Sequence, residues 1–466
     1  AQLQHSWETV VGECLDTVGK TLLQLPQTAQ RAMQAHQLLE RYSAKIDEHV
    51  AGEDHLAFVG WQRRWLALAA EKNWHDPVEL PGMITRGIRE DTIEPPSRII
   101  LAGFDDITPD IESMLGCLTR AGTTVEYWQP EPCHKVSSTR VDAIDIRDEV
   151  SRCAKWLRQK LSADPGAHIG VVVPQLEAYR VILEQVFTAE LTPDVLVEFK
   201  DERTLFNLSL GEGLDKEGVV SAALSLFRCG TYLDQADVTW LLCSPYFGKA
   251  FAERDDRALL DRELRKARCF DWSLPKLIRS IKYIAEKKSF KVDNLLARLD
   301  ALCEILKESN RKRQPGDWAE QFSLSLNALG WPGDRGLSSR EYQAVDKFKT
   351  VVGEFASIDK VSSRLNRGEA VKILTQLVQS CDFQPETVEA TIQVLGELES
   401  AGMTFDYLWV LGMHDRALPS PPSPNPFIPL PLQKKHHMKR ADIEREFLFA
   451  SRVVKRLFSA ASQVVV

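Results

Sequence analysis

Two uninterrupted apolar runs, "IGVVV" at 169–173 and "YLWVLGM" at 407–413, constrain this chain more than any other feature. Each is short and bounded by turn-forming residues, the pattern of a strand buried on both faces of a parallel sheet. They stand far apart in the sequence. Between them, from about Val219 to Gln379, the pattern is helical, broken at "SPY", "QPGD" and "WPGDRG". One sheet interrupted by a helical insertion accounts for this most simply, with the sheet starting near Asp145 and resuming near Thr391. Insertions enter at exposed loop tips whose two ends lie close together.

The rest of the chain fits that frame. "IRDEVSRCAKWLRQKL" and "LEAYRVILEQVF" read as helices on either side of "HIGVVVP", with "DPGA" as a turn. "RIILAGFDDITPDIESMLGCLTRAGTTVEYW" reads as a β-α-β unit. Its first strand, Ile99 to Ala102, is expected to be buried. Thr108 and Pro109 start its helix and Gly122 stops it. "FNLSLGEGL" is expected to be a turn-rich linker, and "PSPPSPNPFIPLPLQ" an extended polyproline-like strap. The first ninety residues are helical: Trp7, Val11, Cys14, Val18 and Leu22 share one face, and "HLAFVGWQRRWLALAAEKNW" forms another amphipathic helix. The final segment gives a helix and a strand. The fold class expected is therefore α/β, with segments 1–95 helical, 96–135 β-α-β, 136–215 α/β, 216–385 helical and 386–466 α/β.

Composition excludes some functions. The chain has 466 residues, 44% hydrophobic and 27% charged, and a net charge of -8. That is globular composition, and it is not that of a wholly basic nucleic-acid binder, though local basic patches are compatible with it. Nine scattered cysteines lack metal-ligand spacing, and an odd number closes no disulfide framework. They point to reduced thiols and a cytoplasmic setting. No apolar run reaches membrane-spanning length. A start at Ala1 and a stop within "SQVVV" create the expectation of a piece of a longer protein.

Few residues form a recognisable chemical site. "VGKT" at 18–21 has Cys14 where a phosphate loop needs glycine, and it sits in a helical pattern. Asp105 and Asp106 follow a strand, where magnesium-binding carboxylates lie in some α/β enzymes; turn and capping roles are the expectation here. His414 and Asp415 could pair as a base and its orienter, but no nucleophile accompanies them, so a strand-end loop is expected. No metal or cofactor site is expected. Two basic clusters stand out as nucleic-acid surfaces. One includes Arg265, Lys266, Arg268, Arg279 and Lys282, with Phe270, Trp272, Tyr283 and Phe290 interleaved. The other includes Lys434, Lys435, Lys439, Arg440, Arg445, Arg452, Lys455 and Arg456. Cations neutralise phosphates and aromatics stack on unpaired bases; a solvated helix face is the alternative.

The stretch "LESAGMTFDYLWVLGMHDRALP" resembles the fifth motif of UvrD-like superfamily I helicases. Gly402, Phe405, Gly412 and Pro419 keep that frame, whereas Thr404 replaces a nucleotide-contacting glutamate. The segment from Arg147 to Arg180 is similar to the region of the fourth motif. Glu149 stands where that family often places a glutamate, and Pro174 where active motors carry a phosphate-contacting arginine. "EREFLFASRVVKRL" resembles the sixth motif without its arginine finger, Arg452 being the nearest arginine. Together with "GFDDITP", "LLCSPYFG" and "LGMHDRALPSPPSPNPFIPLPLQ", these segments resemble the AddB-like, inactivated helicase region of bacterial DNA repair proteins that end in a PD-(D/E)XK nuclease.

The resemblance implies RecA-like domains of the superfamily I type with large helical insertions. Residues 1–95 then correspond to a 1B-like domain, 96–135 to the end of the first RecA-like domain, 136–215 and 386–466 to the second, and 216–385 to a 2B-like insertion. It implies a non-catalytic scaffold that binds single-stranded or forked DNA and positions a nuclease beyond Val466, with a helicase or nuclease subunit as a further partner. Two alternatives remain open at this stage: a motor fragment whose nucleotide site lies upstream of Ala1, and an interaction module for a motor subunit.

Overall fold

The structure is a computed structural model that describes residues 2–17, 24–49, 51–131, 133, 136–193, 205–228, 233–266, 271–307, 311–385 and 390–466. "VGKT", Arg268 and Phe270 lie outside the described residues. The chain forms two compact units. A sheet unit comprises residues 6–210 and 387–466, and a helical unit comprises 1–5 and 211–386.

The sheet unit begins with helices α1 (Gln2–Thr17, from Ser6 onward), α2 (Leu25–Arg41), α3 (Glu53–Lys72) and α4 (Leu80–Arg89). Trp7 of α1 stacks on Trp65 of α3 with ring centroids 5.4 Å apart, and His36 of α2 packs against both. Trp65 Nε1 donates to Ser6 Oγ at 3.2 Å, and Gln62 Nε2 lies 3.0 Å from His36 Nδ1. Burial holds the His36 imidazole below its ordinary pKa, against the opposing pull of Glu40, Asp76 and Glu79.

Strands β1 (Arg98–Ala102) and β2 (Thr124–Trp128) pair in parallel around helix α5 (Pro109–Arg120). Thr108 occupies the N-cap position and Pro109 the first turn, although the threonine side chain makes no capping bond. Ile99, Leu101 and Val125 pack on Ile88, Leu115 and Leu118. The opposite face is open, and Ile100 is exposed. The expected buried strand is thus only half buried, because a two-stranded sheet with helices on one side leaves its other face in solvent.

Next come β3 (Ser137–Thr139), α6 (Ile146–Ala163), β4 (Ile169–Val172), α7 (Leu176–Leu191) and β5 (Phe206–Leu208). Asp145 caps α6 by accepting from Asp148 N at 2.8 Å. The expected linker "FNLSLGEGL" contains β5 and also β6 (Glu212–Gly213). Strands this short are fixed by their partners in the sheet and carry no local period of their own.

In the helical unit, β6 pairs antiparallel with β7 (Asp382–Phe383), so the chain enters and leaves this unit side by side. Between them lie α8 (Gly218–Arg228), α9 (Gln235–Cys243), α10 (Arg254–Lys266), α11 (Leu274–Lys288), α12 (Asp293–Lys307), α13 (Pro315–Leu329), α14 (Ser339–Ser357) and α15 (Arg367–Gln379). Asp234, Ser338 and Asn366 each form a capping box. The core is aromatic, built on Phe227, Trp318, Phe322, Phe348 and Phe355. Its indoles are satisfied: Trp318 Nε1 donates to Leu365 O at 3.0 Å, and Trp331 Nε1 to Val219 O at 2.8 Å.

The sheet unit resumes with β8 (Ile392–Leu395), β9 (Phe405–Val410), α16 (Leu430–Lys435), α17 (Ile443–Ser459) and β10 (Ala461–Val465). Its six-stranded sheet has the order β3-β10-β9-β4-β8-β5, and all five pairings are parallel. β4 is buried along its length, between β9 and β8. Val150, Leu157 and Leu183 of α6 and α7 cover one face of the sheet, and Val453 and Leu457 of α17 cover the other. Gly170 admits the Phe405 ring, which would stand 2.9 Å from a Cβ at that position.

The His36 environment predicts pH-dependent stability. The folded chain holds this imidazole below its unfolded pKa of about 6.5. Its contribution is complete above that pH and declines as pH falls through the folded pKa, because the unfolded chain takes up the proton first. Thermal unfolding at pH 8 and pH 5.5 should show His36→Gln losing less stability on acidification than the parent chain does.

Candidate nucleic-acid interface

A cleft of about 380 Å³ opens in the sheet unit, where the C-terminal ends of β1 and β2 face α17. The parallel register pairs Leu101 with Tyr127 and Ala102 with Trp128, so both strands end at one edge. This edge delivers Phe104, Tyr127 and Trp128, all exposed, to the cleft. Gly103 makes the turn out of β1 with φ +73°, and a Cβ there would sit 3.1 Å from the Ala401 carbonyl. Gly402, with φ +79°, faces it across the same approach.

The opposite wall belongs to α17. Arg452, Lys455 and Arg456 are spaced by three and four residues and share one face. Their roles differ. Arg456 Nε donates to Asp105 Oδ1 at 3.1 Å, and Nη2 lies 3.0 Å from Oδ2. Its remaining donors reach Ser400 Oγ at 3.2 Å and Glu397 O at 2.7 Å. Arg445 is almost buried and pairs with Asp106 and, at 2.8 Å, with Glu446. Arg452 approaches Asp106 only to 3.8 Å and projects into solvent. Lys455 is exposed and has no ion pair among the described residues.

This corrects two expectations. Asp105 and Asp106 anchor arginines of α17, a role decided by residues some 340 positions away and invisible to a local turn-and-cap reading. Arg445 and Arg456 do not belong to an open cationic surface, because their charges are spent on those aspartates. Among the described residues, no group of three His, Cys, Asp or Glu is placed to hold a metal ion.

The polyproline-like segment ends in a clasp. Asn425 Nδ2 donates to Arg31 O at 3.0 Å. The buried Gln433 side chain accepts from Asn425 N at 3.0 Å and donates to Asn425 O at 2.8 Å and Ile428 O at 2.7 Å. Phe427 lies against Phe58 and Trp61, with centroids 6.0 and 5.5 Å apart. The strap therefore turns at Asn425 and holds α16 on the α2–α3 block. Lys434 and Lys435 in the last turn of α16, and Arg440 after it, are exposed and without ion pairs among the described residues.

In the first basic cluster, on α10 and α11, three cations have acidic partners within the helical unit. Arg265 pairs with Asp261 at 2.7 Å, Lys266 with Glu263 at 2.8 Å and Lys282 with Asp300 at 3.0 Å. Arg279 is exposed without an ion pair among the described residues. Two other positions have structural partners. Glu149 accepts from Tyr179 Oη at 2.9 Å and from Gly412 N at 2.8 Å, which ties α6, α7 and the end of β9 together. Burial and this carboxylate push the Tyr179 hydroxyl well above its ordinary pKa. His414 Nδ1 accepts from Arg416 N at 3.2 Å within its loop.

A second cavity of the sheet unit, about 620 Å³, lies at the ends of β4 and β8. Pro174, Glu177, Glu397 and Glu399 line it, and no lysine or arginine among the described residues does. Burial raises the Glu397 pKa.

The aromatics Phe104, Tyr127 and Trp128 escaped the sequence reading. The available signal was their place at the ends of parallel strands, where α/β proteins bind ligands. No protein-family model matches the chain, and no curated protein matches it.

The Asp105–Arg456 contact predicts a measurable coupling. Asp105→Ala should destabilise the sheet unit by about 2–3 kcal/mol, since it strands a partly buried guanidinium. Urea unfolding of the two single variants and of Asp105→Ala/Arg456→Ala should give a non-additive cycle, the double variant losing less than the sum.

Proposed function

We propose that this chain is a non-catalytic, helicase-like scaffold that binds single-stranded or forked DNA. In this reading it is an AddB-like region of a DNA repair exonuclease and positions a nuclease domain of the same protein. The observation that supports it is the cleft between the β1–β2 edge and α17, with Phe104, Tyr127 and Trp128 on one wall and Arg452 and Lys455 on the other. Aromatic faces stack on unpaired bases of any sequence, and accessible cations neutralise the backbone. Lys434, Lys435 and Arg440 add exposed charge on the same unit.

The parallel sheet, with a helical unit inserted between β5 and β8, is compatible with a RecA-like domain of the superfamily I type. The cavity beside Pro174 argues against ATP hydrolysis there. Its three glutamates would repel a triphosphate, and no lysine or arginine among the described residues of its lining offsets them.

Fluorescence anisotropy with labelled oligothymidine and with a fork tests this. Binding at low salt should weaken steeply as salt rises, and Lys455→Ala and Arg452→Ala should each flatten the logarithmic salt slope by about 0.7. Trp128→Ala should cost about 1–3 kcal/mol of affinity. Absence of binding at low salt would refute the proposal.

A further inference from the structure

The helical unit contains a separate cavity of about 260 Å³ whose chemistry differs from that of the cleft. Among the described residues its lining holds Arg254, Arg257 and Arg335 and no carboxylate; the remainder is apolar apart from Cys243. Arg257 is 1% exposed. It donates from Nε and Nη2 to Glu253 Oε2, at 3.0 and 2.7 Å, and from Nη1 to Phe247 O at 3.0 Å. A guanidinium has five N–H groups, so two of its donors have no partner among the described residues. Arg335 pairs with Glu341 and lies 5.2 Å from the centre of the Tyr246 ring. At the rim, Arg254 meets Asp255 at 3.4 Å in solvent, a weak pairing. Its guanidinium lies 5.2 Å from the Phe251 ring, which is 67% exposed.

We propose that this cavity binds a phosphate group borne by a ligand with a planar ring. The guanidinium fork matches phosphate oxygens in pairs, the weakly paired Arg254 is open to solvent at the rim, and Phe251 offers a face for stacking. Glu253 and Glu341 hold two of the arginines in place from outside the lining. A free mononucleotide and the 5′-phosphate end of a DNA strand present this same chemistry. The first source is independent of the DNA-scaffold reading; the second would extend it to strand ends.

Cys243 reports on occupancy, because the residue is exposed and lines the cavity. The experiment follows alkylation of Cys243 in the intact chain by mass spectrometry. Its arms are inorganic phosphate, adenosine monophosphate, and oligothymidine with either a 5′-phosphate or a 5′-hydroxyl. Adenosine monophosphate or the 5′-phosphorylated strand, at about ten times its Kd, should slow alkylation about tenfold. Arg254→Glu should abolish that protection, measured against the variant's own ligand-free rate. Protection by the nucleotide alone identifies the free ligand, and protection that requires the 5′-phosphate on DNA identifies a strand end. Three results would overturn the site: no protection up to about 10 mM of any arm, equal protection by the 5′-hydroxyl strand, or protection that survives Arg254→Glu. The cleft variants Trp128→Ala and Lys455→Ala should leave Cys243 protection by adenosine monophosphate intact, which separates failure here from failure of the scaffold reading.

Discussion

Parallel pairing of β4 with β9 on one side and β8 on the other is the constraint on which the sheet unit depends. A strand buried on both faces and both edges has no solvent to satisfy its backbone, so its neighbours must supply every hydrogen bond. Those neighbours lie beyond the whole helical unit in sequence. The insertion is tolerable because its first and last strands, β6 and β7, pair with each other. The helical unit closes on its own base, and its aromatic core is complete within residues 211–386.

Around that sheet, charge is used in two ways. Where arginines of the sheet unit are nearly buried beside α17, each has a carboxylate: Arg456 with Asp105, and Arg445 with Asp106 and Glu446. These pairs fix geometry; removing one partner would leave an uncompensated charge in a poorly solvated place. Where cations project into solvent without a carboxylate partner among the described residues, as Lys455, Lys434 and Lys435 do, the charge is available to an external anion. An acidic chain can therefore still present a local cationic wall. The paired arginines hold that wall against the aromatic edge of β1 and β2, so the structural and the accessible charges on α17 act together.

Local periodicity was informative wherever an element buries a continuous face. Strands β4 and β9 and helices α6 and α7 follow directly from their apolar patterns, and so do the β-α-β unit and the long helical stretch. The pattern was silent on very short strands: β5 and β6 read as a linker because their conformation comes from pairing. It also overestimated the burial of β1, because an apolar run does not reveal how many layers cover a strand. Among the basic residues, helix position showed that they were clustered. It could not show that Arg265, Lys266 and Lys282 are matched by acids on neighbouring turns and helices, or that Arg445 and Arg456 reach back to Asp106 and Asp105.

The amino-acid sequence by itself determined the mixed α/β character, the buried parallel strands and the helical stretch that separates them, because backbone period and apolar patterning are local properties. Tertiary structure alone decided which charges are free and which aromatics share a cleft. Electrostatic pairing and side-chain convergence act through space, and here they join residues more than three hundred positions apart.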